Sequence, residues 1–332
     1  MCTAIVFQTK DCYFGRNLDL EISYEETVTI TPRNFPFSFR KAGKCKSHYA
    51  IIGMAYVKDG YPLYYDAINE KGLGMAGLNF PGNAIYQPEK KRKDNIAPFE
   101  LIPWILGQCE NLAEARELLT RMNLMQMNFS DELPASPLHW MLADKTGCIV
   151  VEPVAEGLKI YENPVGVLTN NPPFEFHMLN LSNYMNISNQ QIENKLEGCI
   201  TKNVQEEVVF SKYSRGMGAM GLPGDLSSAS RFVKATFTKL YSVSGASEQE
   251  SVNQFFHILG SVEQQRGCVE IRENLYEITM YSCCCNQDKG IYYYKTYENN
   301  SIVSVDMYKE DLDGSKLVNY PLQKEMNFIS QN

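Results

Sequence analysis

The sequence predicts an α+β fold: one domain of two packed β-sheets with helices on the outside. Three observations lead there. Strand-like runs fill the first third and the last quarter of the chain, helical patterns occupy separate stretches between them, and no linker, composition shift or internal repeat divides it. With 332 residues, 44% hydrophobic and 21% charged, the composition matches an ordinary soluble globular protein. A formal net charge of -8 argues against nucleic acid or an anionic membrane surface as the main partner.

The chain opens on a hairpin. Residues 2–8 (CTAIVFQ) are apolar and β-branched, Thr9, Lys10 and Asp11 break the run, and residues 12–17 (CYFGRN) resume it. With that break as the loop, Gln8 faces Cys12, and counting outward sets Cys2 opposite Leu18. Arg16 and Asp19 then fall within diagonal reach of Cys2. Initiator methionine is trimmed when the next side chain is small, and that would leave Cys2 carrying both a thiol and a free α-amino group. Such an amine titrates near ~7.7–8.0, so it can take the thiol proton at neutral pH, and a neighbouring arginine favours the thiolate. The pattern predicts an amide-cleaving enzyme with an N-terminal nucleophile. A small buried residue close to the chain start is the plain alternative for Cys2.

Residues 25–31 alternate like a strand and stop at Pro32, and the basic, aromatic stretch 33–48 reads as a loop. Residues 49–57 (YAIIGMAYV) form a buried-strand pattern, Asp59 and Gly60 a turn, and residues 61–66 an aromatic segment before a second turn at 69–72. Residues 74–80 read as a strand of small residues. Residues 72–77 and 216–221 both fit G-x-G-x-x-G, but neither follows a strand and opens a helix, and prolines follow each, so dinucleotide binding is not expected. After a charged loop at 89–94, residues 98–110 and 112–122 read as helices, the second with an apolar stripe of Leu112, Ala115, Leu118 and Leu119. Residues 123–137 form a long loop carrying Met125, Met127, Phe129 and Leu133; either they serve a function or they pack onto the core.

Strands follow at 138–143, 148–154 and 158–161. The segment 166–173 (GVLTNNPP) ends in two asparagines and two prolines. An amide at such a strand end can serve an oxyanion hole, although asparagine before proline is also ordinary turn chemistry. Residues 180–206 read as polar loops with a weak helix. The stretch 228–241 is an amphipathic helix behind serine caps, with Arg231 in its first turn, where a cation opposes the helix dipole. A helix at 252–262 and tyrosine-rich strands at 276–283, 290–297 and 302–307 close the chain.

Ten cysteines without a basic-then-apolar leader point to thiols in a reducing cytosol rather than disulfides. No apolar run approaches the ~18–20 residues that span a bilayer. The four histidines are far apart, no Cys-x-x-Cys pair exists, and Cys283, Cys284 and Cys285 alternate faces on a strand, so a zinc site or a histidine triad is not expected. The triple cysteine reads as strand packing.

Eight segments in order, MCTAIV, FGRNLD, NEKGLGMAGLNFPG, PLHWMLAD, GVLTNNP, GLPGDLSSASRF, QFFHILGSVEQQRG and KGIYYYKTY, cover nearly the whole chain. Together they resemble the choloylglycine hydrolases, meaning bile salt hydrolases and the related penicillin V acylases, among N-terminal nucleophile hydrolases. The resemblance implies a four-layer αββα sandwich of two antiparallel sheets in a single domain spanning residues 2–332, with Met1 removed. It implies a homotetramer in the bacterial cytoplasm, with no metal or organic cofactor, that hydrolyses the amide joining glycine or taurine to a bile acid. Carried over by position, Cys2 matches the nucleophile, and Arg16 and Asp19 the pair that holds and polarises its thiol and amine. Asn79 and Asn170 match oxyanion-hole and substrate-orienting positions, and Arg231 the second catalytic arginine. Leu18, Tyr24, Phe129 and Leu133 match positions that pack on the steroid. Penicillin V acylases commonly carry tyrosine where this chain has Asn79, which tips the expected substrate toward conjugated bile salts. An acylase for penicillin V or N-acyl homoserine lactones is the alternative within the same machinery, and a sterol-binding protein on an inactive scaffold is the alternative outside it.

Overall fold

A computed structural model describes residues 1–196 and 210–332. β1 (Cys2–Gln8) and β2 (Cys12–Leu20) form the opening hairpin in the register counted from the sequence, with Gln8 opposite Cys12 and Cys2 opposite Leu18. β3 (Thr27–Thr31) follows. The basic stretch expected to be a loop instead contains a small hairpin, β4 (Phe37–Phe39) and β5 (Gly43–Cys45). Aromatic packing explains the difference: Phe37 stacks on Phe39 at 5.6 Å and meets Phe35 and Tyr61 edge-on, and these rings tie the segment into the wider hydrophobic core.

β6 (Ile51–Lys58), β7 (Tyr61–Asn69) and β8 (Gly74–Asn79) make a meander that turns at Asp59 and Gly60, both at positive φ. Neither G-x-G-x-x-G segment opens a helix of the dinucleotide-binding kind: Gly72 sits in a turn before β8, and Gly216 precedes only a 3₁₀ turn, Met217–Ala219. After β9 (Asp94–Ile96), the helix expected over 98–110 is shorter, a 3₁₀ turn at Pro98–Glu100 running into α1 (Leu101–Leu106). Asn69 halts it, because its Nδ2 donates to the carbonyls of Leu106 and Cys109 at 2.8 and 2.7 Å and so satisfies the end from outside.

α2 (Leu112–Arg121) is capped by Asn111, whose side chain accepts from the Glu114 amide, and it buries the predicted stripe. Each buried leucine of that stripe contributes about 1.5–3 kcal/mol. β10 (Met122–Leu124) pairs in parallel with β9, so the long loop begins after Leu124 rather than at 123. β11 (Leu138–Asp144), β12 (Gly147–Val154), β13 (Gly157–Glu162) and the short β14 (Val167–Leu168) come next. A helix the sequence reading missed, α3 (Phe174–Asn180), starts directly after Pro173, and a 3₁₀ turn at Leu181–Tyr184 follows it. Of the polar stretch read as loop with a weak helix, residues 197–206 lie outside the described residues.

α4 (Ser228–Tyr241) and α5 (Glu248–Gly260) are both serine-capped, and α5 begins earlier than expected because Ser247 and Glu250 form a capping box. The small hairpin β15 (Glu270–Arg272) and β16 (Leu275–Tyr276) leads to β17 (Ile278–Asn286), β18 (Ile291–Thr296), β19 (Val303–Asp306) and β20 (Val318–Pro321).

Two antiparallel sheets carry the fold. Six strands run in the order β14-β1-β2-β17-β18-β19 and eight in the order β13-β12-β11-β8-β7-β6-β3-β20. Their facing surfaces share one core, to which Ala4, Phe14, Met54, Leu78, Met141 and Tyr281 belong, and α4 and α5 close its far side with Phe232, Phe255 and Leu259. A second core lies between the other face of the eight-stranded sheet and α1 and α2, built on Met75, Trp140, Leu142, Leu101 and Leu119. The layers are therefore helix, sheet, sheet, helix, the expected αββα sandwich. β17 is covered on both faces, which is why Cys283, Cys284 and Cys285 are all buried. Gly15 permits its approach, since a Cβ there would overlap the Cys283 carbonyl. No helix among the described residues is long and apolar enough to cross a membrane.

Candidate active site

The hairpin register alone sets the first contact. Arg16 lies two residues before Leu18, on the same face of β2, so its side chain reaches diagonally to the residue opposite Leu18. Arg16 Nη2 donates to Cys2 Sγ at 2.5 Å. The rest of the guanidinium is held by carbonyls: Nη1 donates to Gly77 at 2.5 Å and Tyr65 at 3.2 Å on the opposing sheet, and Nε to Asn17 at 3.3 Å. Arg16 is fully buried. Burial alone would lower its pKa, but the charges of Cys2, Tyr281 and Asp66 outweigh that and hold it above the ordinary arginine value.

Asp19 meets the chain start through its backbone. Its amide donates to the Met1 carbonyl at 3.0 Å, and its carbonyl accepts from the Met1 amino group at 2.8 Å. That amino group also pairs with Glu277. Burial, the largest influence, lowers it from its ordinary 8.0 against the pull of Cys2 and Asp19. The Asp19 carboxylate accepts from Thr279 Oγ1 at 2.6 Å through Oδ1, while Oδ2 stands 4.0 Å from Arg231 Nη1 and has no hydrogen-bond partner. Burial raises the Asp19 pKa, opposed first by Arg231 and then by the terminal amine and Thr279.

Arg231, the cation in the first turn of α4, does not face solvent. Its side chain runs back past the α4 N-terminus into the core and is 1% exposed. Nε donates to Leu226 O at 3.1 Å, Nη1 to Cys2 O at 2.5 Å and to Thr3 Oγ1 at 2.6 Å, and Nη2 to Asn170 Oδ1 at 2.8 Å. A planar fork is what lets one side chain serve these acceptors. Burial lowers the Arg231 pKa, and Asp19 and then Cys2 act against that.

Asn170, just past the end of β14, is the node of the site. Its Oδ1 accepts from the Cys2 amide at 2.7 Å as well as from Arg231, and its Nδ2 donates to the Asn79 carbonyl at 2.7 Å. Its backbone amide donates to Ser228 Oγ at 2.8 Å, and its carbonyl accepts from His177 Nε2 at 2.8 Å. Next door, His139 Nε2 meets the Thr169 carbonyl at 2.9 Å while its Nδ1 faces Glu152. Burial pushes His177 down to about 4 against its bond to Asn170, so near neutral pH it is the neutral tautomer with Nε2 protonated.

The structure thus brings Cys2, Arg16, Asp19, Asn170 and Arg231 together. Asn79 joins them through its carbonyl, and its side chain is exposed. Of the expected pocket residues, Leu18 is the one paired with Cys2. Tyr24 sits 6.0 Å from the Tyr56 ring, and Phe129 lies edge-on to Phe99 at 5.2 Å with Tyr61 and Arg40 beside it. Phe129 and Leu133 face each other across one turn, where the Phe129 amide donates to the Leu133 carbonyl at 3.1 Å. Glu277, Thr279, Ser228, His139 and His177 escaped the sequence reading, since each acts through a contact distant along the chain. The signal in the sequence was that His139 and Ser228 lie inside segments already singled out.

A family profile described as linear amide C–N hydrolases of the choloylglycine hydrolase family matches residues 2–320. Over 332 residues, all of both chains, the sequence is 55% identical to the bile salt hydrolase/transferase of Lactiplantibacillus plantarum. Its fold superposes on a mutant conjugated bile acid hydrolase from Clostridium perfringens with a TM-score of 0.91, at 36% identity and with both chains fully covered. The penicillin V acylase of Agrobacterium tumefaciens shares the fold at a TM-score of 0.74 and 18% identity, over 96% of this chain and 90% of its own.

Proposed function

Since the chain belongs to the choloylglycine hydrolase family of linear amide C–N hydrolases, we propose that it hydrolyses glycine- and taurine-conjugated bile acids with Cys2 as nucleophile. One observation carries this reading. Cys2 Sγ lies 2.5 Å from Arg16 Nη2, while the Cys2 backbone nitrogen is fixed at 2.7 Å by Asn170 Oδ1. Removal of Met1 turns that nitrogen into an α-amine on the residue that carries the thiol. It also frees the Asp19 amide and carbonyl that Met1 engages, leaving them beside the new amine.

The reaction then follows from the contacts. The α-amine takes the Cys2 proton, and Arg16 stabilises the thiolate, which attacks the amide carbonyl carbon. Asn170 and Asn79 stabilise the oxyanion. The C–N bond breaks as the α-ammonium returns its proton to the departing glycine or taurine nitrogen. Water attacks the thioester, releases the bile acid and restores the thiol. Asp19 and Arg231 hold the N-terminal residue by its amine and its carbonyl through the cycle. Leu18, Tyr24, Phe129 and Leu133 supply apolar wall for the rigid steroid. We assign the enzyme to the cytoplasm as a homotetramer of one domain per chain, as the resemblance implies.

Release of free amine from glycocholate and taurocholate, run beside penicillin V on one preparation, tests the assignment. Rapid bile-salt cleavage with little penicillin V turnover is expected. The opposite ratio would keep the nucleophile and overturn the substrate, leaving a penicillin V acylase; cleavage of neither by protein lacking Met1 would overturn both.

A further inference from the structure

Asp66, on β7, is a fully buried carboxylate that the mechanism above leaves without a task. It reaches from the eight-stranded sheet to the six-stranded one, where three donors meet it. Tyr281 Oη donates to Oδ2 at 2.5 Å, Tyr292 Oη to Oδ1 at 2.7 Å, and Cys283 Sγ to Oδ1 at 3.3 Å. Strand alternation brings Tyr281 and Cys283 to the same face of β17, so the first of the three adjacent cysteines has polar work as well as packing. Arg16, whose Nη1 bonds the carbonyl of Tyr65 immediately before Asp66, lies within electrostatic reach of this carboxylate.

The need for a counter-charge is physical. A guanidinium taken out of water is costly unless an anion accompanies it, and the backbone carbonyls on Arg16 supply dipoles, not charge. Arg16 thus has two neighbours that draw on its charge, the Cys2 sulfur it hydrogen-bonds and the Asp66 carboxylate beside the Tyr65 carbonyl it also bonds. We propose that Asp66 is a positioning residue for the nucleophile, its fixed carboxylate dividing the attraction of Arg16 between itself and the Cys2 sulfur. This rests on the reading of Cys2 as nucleophile.

The groups facing Asp66 are Arg16 on β2, Tyr281, Cys283 and Cys285 on β17, and Tyr292 on β18. Cys2 faces Arg16, Arg231 and the terminal amine, which Asp19 also faces. Burial, the largest influence on Asp66, raises its pKa against the opposing pull of Arg16 and then of the three donors; that all three neighbours donate to it is the pattern a carboxylate, which only accepts, calls for. Asp66→Asn keeps the shape and deletes the charge, so Arg16 acts undivided on the sulfur. The thiolate then forms more readily but attacks more weakly.

Iodoacetamide alkylation of Cys2 in the mature enzyme, followed across pH by the mass of the N-terminal peptide, reads both effects. Asp66→Asn is expected to move the midpoint down by about one pH unit. Its plateau rate should fall about threefold, as a Brønsted slope of ~0.4–0.5 gives for that shift. Tyr292→Phe, which removes one donor and keeps the ring, should move the midpoint the same way by less, and it decides the matter if Asp66→Asn does not fold. A folded Asp66→Asn with an unmoved midpoint, or in its absence an unmoved Tyr292→Phe, overturns the proposal while leaving Cys2 intact. A parent enzyme unalkylated at Cys2 at every pH overturns the nucleophile reading and the proposal with it.

Discussion

Replacing Asn170 by alanine strikes the site at its node. The change removes the acceptor of the Cys2 amide and of Arg231 Nη2, and the donor to the Asn79 carbonyl. Arg231 keeps Leu226 O, Cys2 O and Thr3 Oγ1, so its fork stays largely satisfied. The Cys2 nitrogen and the Asn79 carbonyl are left without those partners, at a cost of about 1–3 kcal/mol for each. A stability loss of about 2–6 kcal/mol follows. The catalytic cost is separate: loss of one oxyanion donor costs on the order of 10²–10³ in kcat. Amine release from glycocholate gives kcat and KM, and urea unfolding gives stability. A kcat within about threefold of the parent, with stability lowered as stated, would refute the oxyanion assignment and leave Asn170 as a structural clamp.

Three further outcomes are expected. Asn79→Ala keeps the carbonyl that anchors Asn170 and removes only the side-chain amide, so it should lower kcat on the order of 10²–10³ with little loss of stability; an unchanged kcat in the same assay would show that Asn79 serves through its carbonyl alone. His177 gives a stability slope in acid. Its folded value, about 4, lies below the ordinary 6.5, so the unfolded chain binds more protons between them and stability falls as pH drops through that window, by up to about 3 kcal/mol. His177→Gln, which can still donate to the Asn170 carbonyl, should flatten urea-unfolding free energies across that window relative to the parent. Gly15→Ala should destabilise the fold by at least about 1–3 kcal/mol, since its Cβ meets the Cys283 backbone rather than a yielding side chain; an unchanged melting temperature would contradict the close β2–β17 approach.

What the sequence disclosed and what it hid divide by range. The β1–β2 register followed from counting across a three-residue loop, and it delivered the Cys2–Arg16 contact without any long-range information. The bounds of α4 were equally legible, because a serine cap and an apolar stripe are local signals. The direction of Arg231 was not, since which face of α4 meets Cys2 is decided by how the helix packs on β1. Asn79 could be placed at the site by position, yet only coordinates distinguish its carbonyl from its amide. β20 went unread for a related reason. It is short, ends in proline and finds its partner β3 nearly the whole chain away, which local pattern cannot anticipate. The β4–β5 hairpin was obscured because its charged residues dominate the pattern while three phenylalanines do the packing.

Everything proposed for the site depends on Cys2 being the N-terminal nucleophile of a chain that has lost Met1. Intact-mass analysis of enzyme quenched in acid during glycocholate turnover measures this directly. The expected result is a chain lighter by one methionine, carrying a cholyl adduct that maps to the N-terminal peptide. Full activity from protein that retains Met1, or an adduct on any other residue, would contradict it.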